Sequence, residues 1–204
     1  MTHYDFTMPI GEADARRLRV NDTVTLNGTL YGIRDATQIH MFDRGRTTRF
    51  DLHGHAVIHT APNVKWVGET QAAPTGYAPV CVGTTTSARM ERFTRPLMQQ
   101  YGVRIIIGKG GLFADSQQAF ADLGGVYLAI IGGAAALQTT WIEAIEDVDL
   151  DDLNPESLWK FRVQGFGPLL VAMDSAGGNL YKQVAQSANA KRAAALAALG
   201  VQKR

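Results

Sequence analysis

Two short runs of apolar, β-branched residues, 103–107 (VRIII) and 126–131 (VYLAII), alternate with stretches of helical spacing, and this alternation limits the fold more than any other feature. Strand–helix–strand units with near-continuous apolar strands build parallel sheets covered by helices. Upstream, 87–101 places Met90, Phe93, Leu97 and Tyr101 at three- and four-residue intervals, with Ser87 as the predicted N-cap and Gly102 as the stop. Residues 116–123 read as a second helix and 132–137 as a small-residue turn into a third. The expected fold class is α/β, with a mostly parallel sheet flanked by helices and its ligands at the carboxyl ends of the strands.

The flanking sequence is consistent with one domain. Residues 11–18 begin acidic and end at Arg16 and Arg17, which suits a short helix dipole, and 23–30 (TVTLNGTL) alternates like a half-buried strand. Residues 50–59 read as turn and strand. Pro62, Pro74, Gly76 and Pro79 then mark 62–80 as a long loop, of the kind that often carries a binding role. Two further strands are expected at 159–163 and 168–173, separated by Gly165 and Gly167, with a turn at 174–179 (DSAGGN). No repeat is visible. The expected organisation is a domain over 1–180 followed by an Ala-rich helix or tail over 181–204.

Of the 204 residues, 46% are apolar, enough for a proper core, and 20 Lys and Arg against 19 Asp and Glu leave a net charge of +1. That balance supplies no field for a nucleic acid or an anionic membrane. No apolar run is long enough to cross a bilayer, and 1–17 lacks the basic and apolar regions of an export signal, so cytoplasm is the expected location. The lone Cys81 cannot form an intrachain disulfide, and one thiolate cannot assemble a zinc site or an iron–sulfur cluster. His53, His55 and His59 share strand parity, but their spacing and the missing further ligand argue against a metal site.

Three features could carry chemistry. In 83–90 (GTTTSARM) threonines precede a helix start that favours an anion, and Arg89 offers a bidentate fork for a carboxylate; a Thr-rich cap with a surface arginine is the alternative. In 105–113 (IIIGKGGLF) Lys109 ends a buried strand between glycines, although without the Ser or Thr that a phosphate-binding P-loop requires; a structural turn with a solvated lysine fits as well. Arg34 and Asp35 directly follow the first expected strand, where a binding pair and an ordinary ion pair or cap look alike.

Taken in order, the blocks 8–37, 76–91, 101–112, 132–137 and 156–180 resemble the β subunit, or C-terminal domain, of the class I fumarases and L-tartrate dehydratases, the iron–sulfur hydro-lyases. The resemblance implies a swivelling β/β/α domain that closes over a 4Fe-4S cluster. That cluster is held by three cysteines of an α subunit and not by this chain alone. One of its irons acts as a Lewis acid on the substrate. The implied reaction is reversible hydration of a dicarboxylate of the fumarate/malate type, or in the alternative of tartrate or mesaconate (2-methylfumarate).

The family's motif places the catalytic base on Thr85 and the substrate-binding cations on Arg34, Arg89 and Lys109. A hydroxyl is a poor base unless cations stabilise its alkoxide, and Arg89 and Lys109 are the candidates. Thr84 stands where the family has proline and Gln38 where it has histidine; these departures point past fumarate to a related 2-hydroxy dicarboxylate. A non-catalytic organic-acid binding protein and a structural assembly subunit are the rival readings. A lone β subunit would expose its interface, so homodimerisation of the isolated chain is expected.

Overall fold

A computed structural model describes residues 1–200; residues 201–204 of the expected tail lie outside the described residues. Along the chain run β1 (His3–Thr7), α1 (Glu12–Arg17), β2 (Thr23–Ile33), α2 (Asp35–Phe42), β3 (Ala56–His59), β4 (Asn63–Trp66) and β5 (Tyr77–Cys81). A 3-10 turn (Ser87–Phe93) leads into α3 (Thr94–Tyr101), β6 (Ile105–Gly108), α4 (Ala114–Leu123), β7 (Val126–Ala129), α5 (Ala135–Thr140), β8 (Ile142–Asp149), β9 (Leu158–Met173) and α6 (Leu180–Ala198). Gly102 closes α3 with φ of 66°, a left-handed cap that a residue with a Cβ adopts only at a cost.

The sheet is mixed. β2 pairs in parallel with β1 and β3, and β6 with β3 and β7. β9 runs antiparallel to β2, β7 and β8 and so joins β2 to β7, closing the ring β2-β3-β6-β7-β9 with β1 and β8 outside it. Strand parity divides the core accordingly. Val24, Leu26, Ala56, Ile58, Ile105, Ile107, Val126 and Leu128 pack in one cluster with Phe161, Phe166 and Leu169. The alternate positions Tyr31, Val57, Ile106 and Tyr127 pack outward on Leu97, Met98 and Phe120 of the helices.

Several expectations are corrected by this arrangement. The sheet is less parallel than its apolar runs imply, because β9 lines three strands in antiparallel fashion. The two strands expected at 159–163 and 168–173 are one 16-residue strand. Register shifts opposite Leu26 absorb extra residues, and the buried positions step from Val163 to Phe166 to Leu169, so the glycines mark bulges and not a break. The loop expected at 62–80 contains the two-stranded ribbon β4-β5. β4 is largely exposed, β5 is half-buried and neither has a buried-face period; Tyr77 anchors them edge-on to Trp159, with ring centroids 5.8 Å apart. β1, α2 and β8 carried no expectation.

Leu180 and Tyr181 pack on the outer cluster, whereas nearly every side chain from Lys182 to Gly200 is exposed. Among the described residues no helix is long and apolar enough to cross a membrane.

Candidate active site

The carboxyl ends of β2, β3 and β6 deliver Arg34, His59 and Lys109 to one end of the ring, and the segment 83–87 is laid across the last two. Thr84 bridges Thr60 and Thr86 bridges Lys109, one antiparallel and one parallel. The Thr85 amide donates to the His59 carbonyl at 2.8 Å and the Ser87 amide to the Lys109 carbonyl at 3.0 Å. Ser87 is not the expected N-cap. Thr86 holds that position without a side-chain bond, and the helix opens as a 3-10 turn. Ser87 is instead fully buried, with its Oγ 2.9 Å from His59 Nδ1 and 3.0 Å from the Tyr127 hydroxyl.

Arg89 joins the two sides of the site. Its Nε and Nη2 donate to the two Asp35 carboxylate oxygens at 3.1 and 2.8 Å, and Nη2 also donates to Thr85 Oγ1 at 3.2 Å. The hydrogen bond from Arg89 holds the Asp35 carboxyl below the usual carboxylate range despite partial burial, and Asp35 in turn raises the guanidinium's affinity for its proton. Arg34 Nε lies 3.4 Å from both Asp35 and Glu156 but hydrogen-bonds to neither. Glu156 arrives from the turn before β9, and its Oε2 accepts from the Ala36 amide at 2.8 Å, meeting an open N–H at the start of α2.

Lys109 is half-buried, and its stem passes so close to Gly132 that a Cβ there would meet Lys109 Cδ at 3.0 Å. Lys160 is the one lysine among the described residues that pairs with a carboxylate, so Lys109 keeps its charge free of a counter-ion. Arg34, Thr85 and Arg89 thus converge through Asp35, while Lys109 stands on the neighbouring strand tip beside Thr86. The motif reading did not find Glu156, because 120 residues separate it from Ala36.

The three histidines do not share a face. His53 is exposed, His55 half-buried and His59 buried, because the first two precede β3. Desolvation pushes the His59 imidazole down to about 4, with Arg89 acting in the same direction and Asp35 opposing it. Gln38 is buried in α2 with its Nε2 unpartnered, and Thr84 donates to Gln138 Oε1 at 3.4 Å. Cys81 lies on β5, and among the described residues no three His, Cys, Asp or Glu come close enough to hold a metal ion. One isolated thiol does not meet the ligand demand of an iron–sulfur cluster, so the donors of this chain do not fit that group by themselves.

The chain is an α/β domain that presents hydroxyl, guanidinium and ammonium groups at strand carboxyl ends, the place where sheets of this class bind their ligands. The match is more specific than that: the chain agrees with the fumarase C-terminus family over residues 2–184, and it belongs to that family. It is 37% identical over 175 residues to the L(+)-tartrate dehydratase subunit beta of Escherichia coli (strain K12), covering 85% of this chain and 84% of that one. A putative L(+)-tartrate dehydratase subunit beta of Methanocaldococcus jannaschii is 37% identical over 176 residues, 84% of this chain and 87% of the relative. A putative fumarate hydratase class I of Geobacillus stearothermophilus is 38% identical over 186 residues, which take in 88% of this chain but 34% of that longer protein.

Proposed function

We propose that this chain is the β subunit of a hydro-lyase that adds water to, or removes it from, a dicarboxylate. The observation that carries the reading is the hydrogen bond from Arg89 to the Thr85 hydroxyl at a cationic strand tip. In this reading Thr85 reacts as its alkoxide, which Arg89 stabilises; the alkoxide takes the proton from the carbon next to a substrate carboxylate, becomes the neutral hydroxyl and releases that proton to solvent, and in the hydration direction the hydroxyl gives its proton to the carbon. Arg34 and Lys109 bind and orient the two carboxylates. Asp35 and Glu156 already offset two of the three cations, which leaves Lys109 as the charge most available to an incoming anion.

The iron–sulfur cluster implied by the family would be held on an α subunit, and the domain formed by 1–180 would swivel to close over it in the cytoplasm, with 181–204 as an appended helix or tail. Fumarate/malate hydration is the first reading of the reaction. L-Tartrate dehydration is the second, favoured by the names of the relatives.

The test is an anaerobic assay of the chain co-purified with its candidate α subunit, following hydration of fumarate and mesaconate and dehydration of L-tartrate. Turnover of one of them is the expected result. An isolated chain that binds dicarboxylates tightly and captures no α subunit supports the organic-acid binding alternative instead.

A further inference from the structure

We propose that His59, Ser87 and Tyr127 form a buried positioning network that holds the Thr85 hydroxyl and the Lys109 strand tip in fixed relation. The three side chains come from β3, the turn after Thr86, and β7, and they expose 1%, 0% and 0% of their surface. Ser87 Oγ sits at their centre, 2.9 Å from His59 Nδ1 and 3.0 Å from the Tyr127 hydroxyl. Its amide holds the Lys109 carbonyl at 3.0 Å, and two residues earlier the Thr85 amide holds the His59 carbonyl at 2.8 Å. His59 therefore anchors the segment twice, through its carbonyl at Thr85 and through its imidazole at Ser87.

A shift of Ser87 would displace both ends of this short segment, and with them the groups on either side. Gly108 supplies the independent observation. A Cβ on Gly108 would stand 1.9 Å from Ser87 Oγ and 2.9 Å from the Tyr127 hydroxyl, so the glycine leaves the space that the network fills. The three residues act through Thr85 and Lys109. They are positioning residues, and their role rests on the reading of Thr85 as the proton-abstracting hydroxyl.

The experiment uses the assembled enzyme. Ser87→Ala removes both hydrogen bonds while keeping the Cβ; the expected result is a kcat lower by about tenfold or more with KM within about threefold, since misplacing a reacting group acts mainly on turnover. Tyr127→Phe, which removes one bond, should fall between that variant and the wild type. His59→Asn, whose amide reaches the position of Nδ1, should recover turnover that His59→Leu loses. On a Thr85→Ala background, Ser87→Ala should add little to the loss, because coupled residues are not additive.

Wild-type kcat in Ser87→Ala would overturn the proposal. So would a loss that tracks only the folded fraction in thermal melts, or an equal loss with and without Thr85. Full turnover in Thr85→Ala itself would overturn the base assignment, a separate outcome from any result at Ser87.

Discussion

The two ends of the parallel strands β3, β6 and β7 use their charged residues differently. At the amino ends lies a cleft of about 460 Å³, lined among others by Glu12, Asp51, His53, Tyr101, Arg104 and Asp122. Its ionic groups are committed to structure: Arg104 donates to the Leu123 and Gly124 carbonyls at the end of α4, and Arg95 holds Asp122 at 2.7 Å. At the carboxyl ends the groups stand near the surface, with the Arg89 side chain 48% exposed, and some are incompletely satisfied. Among the described residues the buried side-chain polar atoms without a hydrogen bond are Arg34 Nε, Gln38 Nε2 and Ser157 Oγ, and all lie in the segments that bound this end. Unspent hydrogen-bonding capacity, and not concavity, distinguishes the candidate site.

The sharpest way to break this comparison is Thr85→Ala. Loss of a positioned general base should lower kcat of the assembled enzyme by about 10²–10⁴-fold, read by steady-state turnover. Unchanged turnover would remove the hydroxyl from the chemistry. Lys109→Ala should lower kcat/KM by about 10–100-fold, the worth of one charge-assisted hydrogen bond, with KM rising as kcat falls. A loss confined to stability would make Lys109 a structural turn residue like those at the amino ends.

Gly108→Ala tests the packing beneath the carboxyl-end site. The new methyl competes with Ser87 Oγ, and overpacking of this kind costs about 1–3 kcal/mol, read from the urea midpoint. His59 adds a pH dependence. The unfolded chain takes up a proton near 6.5 and the folded chain only near 4, so stability is whole above pH 6.5 and falls as pH drops from 6.5 toward 4. The loss over that window is about 3 kcal/mol at 1.36 kcal/mol per pH unit of displacement, and it should vanish from the difference between pH 6.5 and 4 in His59→Asn. An equal slope in wild type and variant would assign the acid sensitivity to the carboxylates.

The smallest effect belongs to the other end. His53→Ala, in the amino-end cleft, should leave kcat and KM within about twofold and stability within about 0.5 kcal/mol. A large change in turnover there would erase the distinction between the two ends.

Most helices, though not α2, and the inner strands could be read locally because their signals are local: Met90, Leu97 and Gly102 for the segment ending in α3, and the unbroken apolar runs of β6 and β7. Arg34, Arg89 and Lys109 stood out locally as cations at strand ends or a helix start, each with a plain structural alternative, whereas Thr85 was distinguished from its neighbouring threonines only by the resemblance to the family. The ribbon β4-β5 carried no buried-face period and could not be read, whereas the edge strand β1 does alternate, with Tyr4 and Phe6 on the core, but is too short to have been singled out. His59 and Ser87 were visible as residues but not in their roles, because a histidine in a strand and a serine before a helix have commoner explanations than a shared hydrogen bond.

By itself, the amino-acid sequence determined the strand–helix alternation and the identity of the groups offered at the strand tips. Periodicity and turn chemistry act over a few residues and leave a record there. Tertiary structure alone decided that β9 closes the ring through bulges, that Arg89 crosses to Asp35 over 54 residues, and that Glu156 reaches the start of α2 over 120. Those pairings depend on which surfaces the core brings together, and no local pattern encodes a partner so distant along the chain.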